Sequence, residues 1–375
     1  MLDRILERTR NAGAPLLMAL ALGVGTASQN LMAQATQHYT QTNLVSNLAS
    51  LAPKVDPNLV NAWGLSRSSK SPWWVSDNGP GLATLYTGTG VTQSLVVTIP
   101  PGSTDSTTGT PTGTVFNGDS TAFLLAPGKA AAFLFVTEDG TISGWNPGVA
   151  ATSAVIVVNQ KDSVFKGMTI AVADLGKGPL SYLYVADFRK GQVEVFDPSF
   201  KPVYLSGDSF DDDRLPHGFA PFNVQNIGGN LYVAFAKQGK GKHDEQDGAG
   251  LGYVDVFSPE GKLLRRLESG WWFNAPWGLA LGSSDFGSHS HDVLVGQFGS
   301  GQILAFDAVT GKFTGALLNT AGTPIVIDGL WAIMFGNDAS AGLATTLYFT
   351  AGPDGESNGL FGMLTAVENV QGGAR

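Results

Sequence analysis

The carboxylates of Asp77, Glu138 and Asp187 and the amide of Gln297 each close a short apolar run of similar composition. Asp187 lies 110 residues after Asp77, and Gln297 lies 110 residues after Asp187. Two further runs of this kind, Leu231–Phe235 and Leu347–Ala351, end in Phe235 and Ala351 instead. Gathered in a ring, three carboxylates could hold Ca²⁺ through hard oxygen ligands. Two of them held close could split their pKa values and act as acid and base. Asn61, Lys166, Asn274 and Asp328 sit where the same repeat begins, and Asp328 is the metal-ligand candidate among them. The competing reading is that Asp77, Glu138 and Asp187 cap turns, since Asp accepts from backbone N–H groups two residues on.

Other polar clusters offer less. His289-Ser-His291-Asp292 would put two imidazoles on one side of a strand, a pattern for a transition metal, but it lies in a Gly/Ser/Asp-rich loop. Asp208, Asp211, Asp212 and Asp213 lack the spacing and central Gly of an EF-hand and read as an exposed loop. Lys240, Lys242, His243, Asp244, Glu245 and Asp247 mix both signs in a polar insertion over 237–252 and make no basic patch. Trp63, Trp277 and Trp331 recur at the start of units and read as inter-blade core or channel lining. Trp271-Trp272, if exposed, could stack on a sugar ring or anchor a partner. H-E-x-x-H, the Walker loop and the Rossmann fingerprint are all missing.

The elements that must position these groups follow from the repeat. Leu183-Tyr-Val-Ala-Asp-Phe-Arg-Lys-Gly-Gln-Val-Glu-Val-Phe-Asp197 matches Val293–Asp307 without a gap. Gln192-Val-Glu-Val-Phe196 alternates with period two, as a half-buried strand does, and Lys190-Gly191 and Asp139-Gly140 are hairpin turns. Six such units can be traced, and no long 3.6-residue period appears. Pro100–Thr114 reads as a surface loop. The expected fold is all-β: one six-bladed β-propeller of four-stranded antiparallel blades over residues 36–370. A ring must close, so Tyr39–Leu48 is expected to supply a strand to the sheet of Leu360–Val367.

Composition bounds the chemistry. The 375 residues include no cysteine, which excludes disulfides, thiolate nucleophiles and Cys-ligated zinc. Residues 1–35 read as a signal peptide: a basic start with Arg4, Arg8 and Arg10, the apolar run Pro15–Val24, and an Ala33-Gln-Ala35 cleavage site. Cleavage would move the net charge from −9 to −10, with no electrostatic footprint for nucleic acid and no transmembrane anchor in the mature chain. The expected location is secreted or periplasmic. Residues 371–375 read as a short carboxy-terminal tail.

Leu183-Tyr-Val-Ala-Asp187 and Val195-Phe-Asp-Pro198 resemble the phrases of NHL-repeat propellers. Asn43-Leu-Val-Ser-Asn47, Asn61-Ala-Trp-Gly-Leu65, Phe219-Ala-Pro-Phe-Asn-Val224, Gly252-Tyr-Val-Asp-Val-Phe257 and Ala275-Pro-Trp-Gly-Leu279 resemble a family of secreted bacterial six-bladed propellers. Some members of that family carry a PEP-CTERM sorting tag, and Glu368–Arg375 has none of its features. Asp328-Gly329 is similar to the Asp-Gly that supplies a metal ligand in calcium-dependent SMP-30/gluconolactonase propellers. The resemblance implies a fold and an export route. Two functions remain open. One is a binding or scaffold module for an extracellular small molecule, polysaccharide or protein. The other is a Ca²⁺-dependent, lactonase-like hydrolase at the channel mouth.

Overall fold

The computed structural model describes residues 37–367. The proposed signal segment and the short tail lie outside them. Among the described residues, six antiparallel sheets make the six blades of a propeller. The innermost strands are Ala62–Ser66, Pro111–Phe116, Phe165–Asp174, Phe219–Ile227, Pro276–Leu281 and Leu330–Phe335, in blades one to six. Helix is confined to the 3-10 turn Gly287–His289 among the described residues.

Blade six is built from both ends of the chain. Tyr39–Ser46 pairs antiparallel with Leu360–Ala366, from Tyr39 opposite Ala366 to Ser46 opposite Leu360. This is the expected closure, and it covers an edge that would otherwise expose unpaired backbone groups. One expectation fails. The stretch over 100–114 is not all loop, because Pro111–Phe116 is the innermost strand of blade two. Thr and Gly there hide an apolar pattern. Thr112 and Thr114 are nonetheless buried, their hydroxyls donating to the carbonyls of Phe165 and Leu134.

A β-bulge recurs at the start of all six innermost strands. Lys166 is skipped between the pairs Phe165–Asp187 and Gly167–Ala186, Phe222 between Pro221–Phe235 and Asn223–Ala234, and Trp277 between Pro276–Gln297 and Gly278–Gly296. In blades one, two and six the register slips across Trp63, Thr112 and Trp331. A bulge re-aims the side chain it carries. Here the bulged side chains meet across the axis. Trp63 of blade one stacks on Trp331 of blade six with centroids 3.5 Å apart, and Trp277 of blade five meets both edge-on. Phe222 of blade four packs on Trp331 at 5.9 Å. These residues belong to one buried cluster, an aromatic plug in the channel.

Candidate functional site

Lys166 is the one charged member of the bulged set. Its side chain is 2% exposed, and its ammonium stands 4.9 Å over the Trp63 ring, a cation–π contact across the axis. Lys166 Nζ donates to Glu138 Oε1 at 2.6 Å and lies 3.8 Å from Asp244 Oδ1. Burial disfavours the charge on Lys166, but Glu138, Glu245 and Asp244 outweigh it and hold the pKa above the ordinary lysine value.

Glu138 continues the network. Its Oε2 accepts from Asn78 Nδ2 at 2.9 Å. Asn61 Nδ2 donates to Asn78 Oδ1 at 3.3 Å and to Glu356 Oε2 at 2.5 Å, while Asn61 Oδ1 accepts from Trp331 Nε1 at 2.9 Å. Asn61 is placed by backbone shape. It has φ 48, Ala275 has φ 47 and Gly329 has φ 62, each immediately before an innermost strand. Asn tolerates this left-handed conformation better than most side chains, so it can turn the chain and present its amide at once.

The insertion over 238–251 supplies the other wall. Asn274 Oδ1 accepts from Gly248 N–H at 2.7 Å, and Gly250 N–H donates to Phe273 O at 2.8 Å, which ties the insertion to blade five. Burial, aided by Asp247 and Glu356, pushes the Glu245 carboxyl up to about 7 against the pull of Lys166. Glu356 is raised by burial and by Glu138, and Asp247 is raised by burial. The carboxyl of Asp247 lies beside the Asn274 amide, since a Cβ at Gly299 would collide with both.

The expected ring is thus only partly assembled. Asn61, Glu138 and Lys166 converge, and Asn274 joins through the insertion. Gln297 supports Asn274 from behind: its Oε1 accepts from Asn274 N–H at 2.7 Å and its Nε2 donates to Trp272 O at 2.9 Å. Asp187 caps a turn, with Oδ1 accepting from Val164 N–H at 3.3 Å and Lys190 N–H at 3.0 Å. Asp77 is fully buried inside blade one. Asp328 is exposed, and its Oδ2 accepts from Asp354 N–H at 2.8 Å, pinning the turn that carries Glu356. Glu138 is not the counterpart of Asp77. Strand register gives that place to Thr137, opposite Pro111, and so Glu138 corresponds to Asn78.

Glu245, Asp247, Glu356 and Asn78 were not foreseen as site residues. All four sit in hairpin connections, and a charged loop residue gives no periodic signal. The acidic run also differs from expectation. Asp212 is buried, 2.7 Å from Arg214 Nη2 and 3.0 Å from Arg266 Nη2. His289 Nδ1 lies 2.9 Å from Asp292 Oδ2, on the rim of blade five. Trp271 is 77% exposed, while Trp272 stacks on Phe313.

Glu138, His243 and Asp244 offer ligand atoms within 4.8 Å of one another. They do not fit a resident metal, because the Lys166 ammonium already lies against Glu138 and Asp244, and His243 Nδ1 is paired with Asp244 Oδ1 at 2.7 Å.

No family model matches this chain. It is 30% identical over 339 residues to uncharacterized protein R648 of Acanthamoeba polyphaga mimivirus, covering 86% of this chain and 78% of that one. It is 32% identical over 337 residues to uncharacterized protein L690 of the same virus, covering 86% and 84%. The chain belongs to the family of these mimivirus proteins. Streptogramin B lyase superposes with a TM-score of 0.50 at 11% identity, covering 89% of this chain and 99% of that one. The PQQ-bound aldose sugar dehydrogenase of Streptomyces coelicolor gives 0.51 at 15% identity, covering 89% and 99%. These likenesses show the propeller fold. The viral relatives lend no support to the bacterial, secreted family that the sequence phrases resemble.

Proposed function

We propose that this propeller is a binding module whose axial mouth takes a ligand through a cationic nitrogen. One observation carries the reading. Four carboxyl groups, those of Glu138, Asp244, Glu245 and Glu356, act on the ammonium of Lys166, and a fifth, that of Asp247, acts on Glu245. Lys166 and Asn78 already satisfy Glu138, so the excess negative charge resides on the insertion and on the turn over 353–358. A ligand ammonium or guanidinium would meet charge-assisted acceptors there, with the amides of Asn61, Asn78 and Asn274 to orient it. The test is calorimetric titration with spermidine and with an arginine-containing peptide, against a neutral oligosaccharide. Binding of the cationic probes should weaken with salt and fall at least tenfold in Glu245→Gln/Asp247→Asn. Tight binding of the neutral probe alone would refute the reading.

A second reading is supported by Glu245. A carboxyl held near neutrality suits general acid–base work at pH 7, so a lactone- or ester-cleaving activity is the alternative. It predicts turnover lost in Glu245→Gln with binding retained. Export to a secreted or periplasmic location is a further proposal, supported by the basic, apolar and Ala-x-Ala order of residues 1–35. An alkaline phosphatase fusion after residue 40 tests it: an inactive fusion would count against export.

A further inference from the structure

We propose that Asp77 and Asp56 hold one calcium-sized hard cation, buried between blade one and the loop that follows the closing strand. Asp77 is 0% exposed, and neither of its carboxyl oxygens has a hydrogen-bond partner. Thr84, also 0% exposed, has its hydroxyl beside the Asp77 carboxyl. Strand register puts Asp77, Thr84 and Tyr86 on one face of blade one, with Asp77 opposite Leu82 and Val75 opposite Thr84. Asp56 is 5% exposed, and its Oδ2 accepts from Tyr86 O–H at 2.9 Å. Its Oδ1 accepts from Asn58 N–H at 2.9 Å. Two carboxyl groups and two hydroxyls are thus buried with Tyr86 in a core that also holds Leu59, Trp73 and Val75. Among the described residues, neither Asp forms an ion pair with Lys, Arg or His.

The repeat shows what is missing. Asp187 and Gln297 occupy the corresponding place and take backbone N–H groups from just before their innermost strands. In blade one both such groups are already used: Val60 N–H donates to Asn58 O and Asn61 N–H to Asn358 O. Asp77 therefore lacks the cap its counterparts have and has only Thr84 beside it, while the Asp56 carboxyl lies near enough to repel it. All-oxygen donors with two negative charges suit a hard divalent cation. The rival resolution is a proton on Asp77.

The experiment uses the full chain, stripped with EDTA and then titrated with calcium. The expected result is one calcium per chain by elemental analysis and a Tm rise of roughly 5 °C at saturating calcium. Asp77→Asn should lose both, while Asp328→Asn, at an exposed carboxylate, keeps both, which separates this site from the channel rim. Should Asp77→Asn fail to fold, terbium emission sensitised by Trp73 in the wild-type chain, displaced by calcium, replaces it. Wild-type protein with no bound calcium, no Tm response and no terbium emission would overturn the proposal in favour of the proton. Calcium binding unchanged in Asp77→Asn, or lost in Asp328→Asn, would overturn it too.

Discussion

Lys166 Nζ lies 2.6 Å from Glu138 Oε1, and the lysine side chain is 2% exposed. A bulge in blade three and a hairpin in blade two thus share one buried ion pair. Removing one partner of such a pair strands the other charge. Lys166→Met should cost about 3–5 kcal/mol, read by denaturant unfolding. Lys166→Met/Glu138→Gln should recover much of the loss, since the uncompensated charge is gone. A double variant no more stable than Lys166→Met would show that the loss is packing alone.

Glu245 carries a pH dependence. Its carboxyl titrates near 7 in the folded chain against an ordinary value of 4.5. Folding therefore favours the protonated form. That stabilisation is complete below about 4.5 and is lost as pH rises through about 7. The Tm of wild type should fall relative to Glu245→Gln between pH 5 and pH 8. Parallel profiles would exclude Glu245 as the source.

The aromatic plug is open to a direct test. Trp331 stacks on Trp63 at 3.5 Å and on Phe298 at 4.0 Å, and donates to Asn61. Trp331→Ala should cost about 3–5 kcal/mol. It should also release Asn61, so binding at the mouth should weaken beyond the stability loss, read by titration well below Tm. Trp277→Ala should cost a similar amount of stability with a smaller effect on binding, because its Nε1 donates to Lys166 O instead.

The closing strand should be indispensable. Tyr39–Ser46 makes the outer pairing of blade six, and Val45 within it is fully buried. A chain starting at Leu51 should lose cooperative thermal unfolding, followed by near-ultraviolet circular dichroism. A sharp transition in that chain would mean that blade six holds without its fourth strand.

The fold was legible because Leu183–Asp197 and Val293–Asp307 repeat in phase, and a phase of 110 residues spans two blades. The closure followed from the same rhythm plus the need to hide an edge. Pro111–Phe116 was missed because its Thr side chains bury through hydrogen bonds, which no hydropathy pattern displays. The site was legible where it lies at or just before the starts of innermost strands. Asn61 and Lys166 stand at repeat boundaries, and Asn78 and Glu138 link them in the structure. Glu138 was placed one position off, since the hairpin after Thr137 closes tightly through Gly140 and sequence spacing cannot count a bulge. Glu245, Asp247 and Glu356 reach the mouth through loops whose path is set by contacts with other blades, such as Asn274 with Gly248.

The last blade joins residues 39–46 to residues 360–366. During synthesis the first of these emerges early and must wait for some three hundred further residues before its neighbour exists. Five blades can assemble in order behind the ribosome, but the disc stays a notched arc until the final strand is free. Whatever shields that waiting strand, a chaperone or a transient fold-back, acts on the nascent chain and leaves no trace in the finished ring.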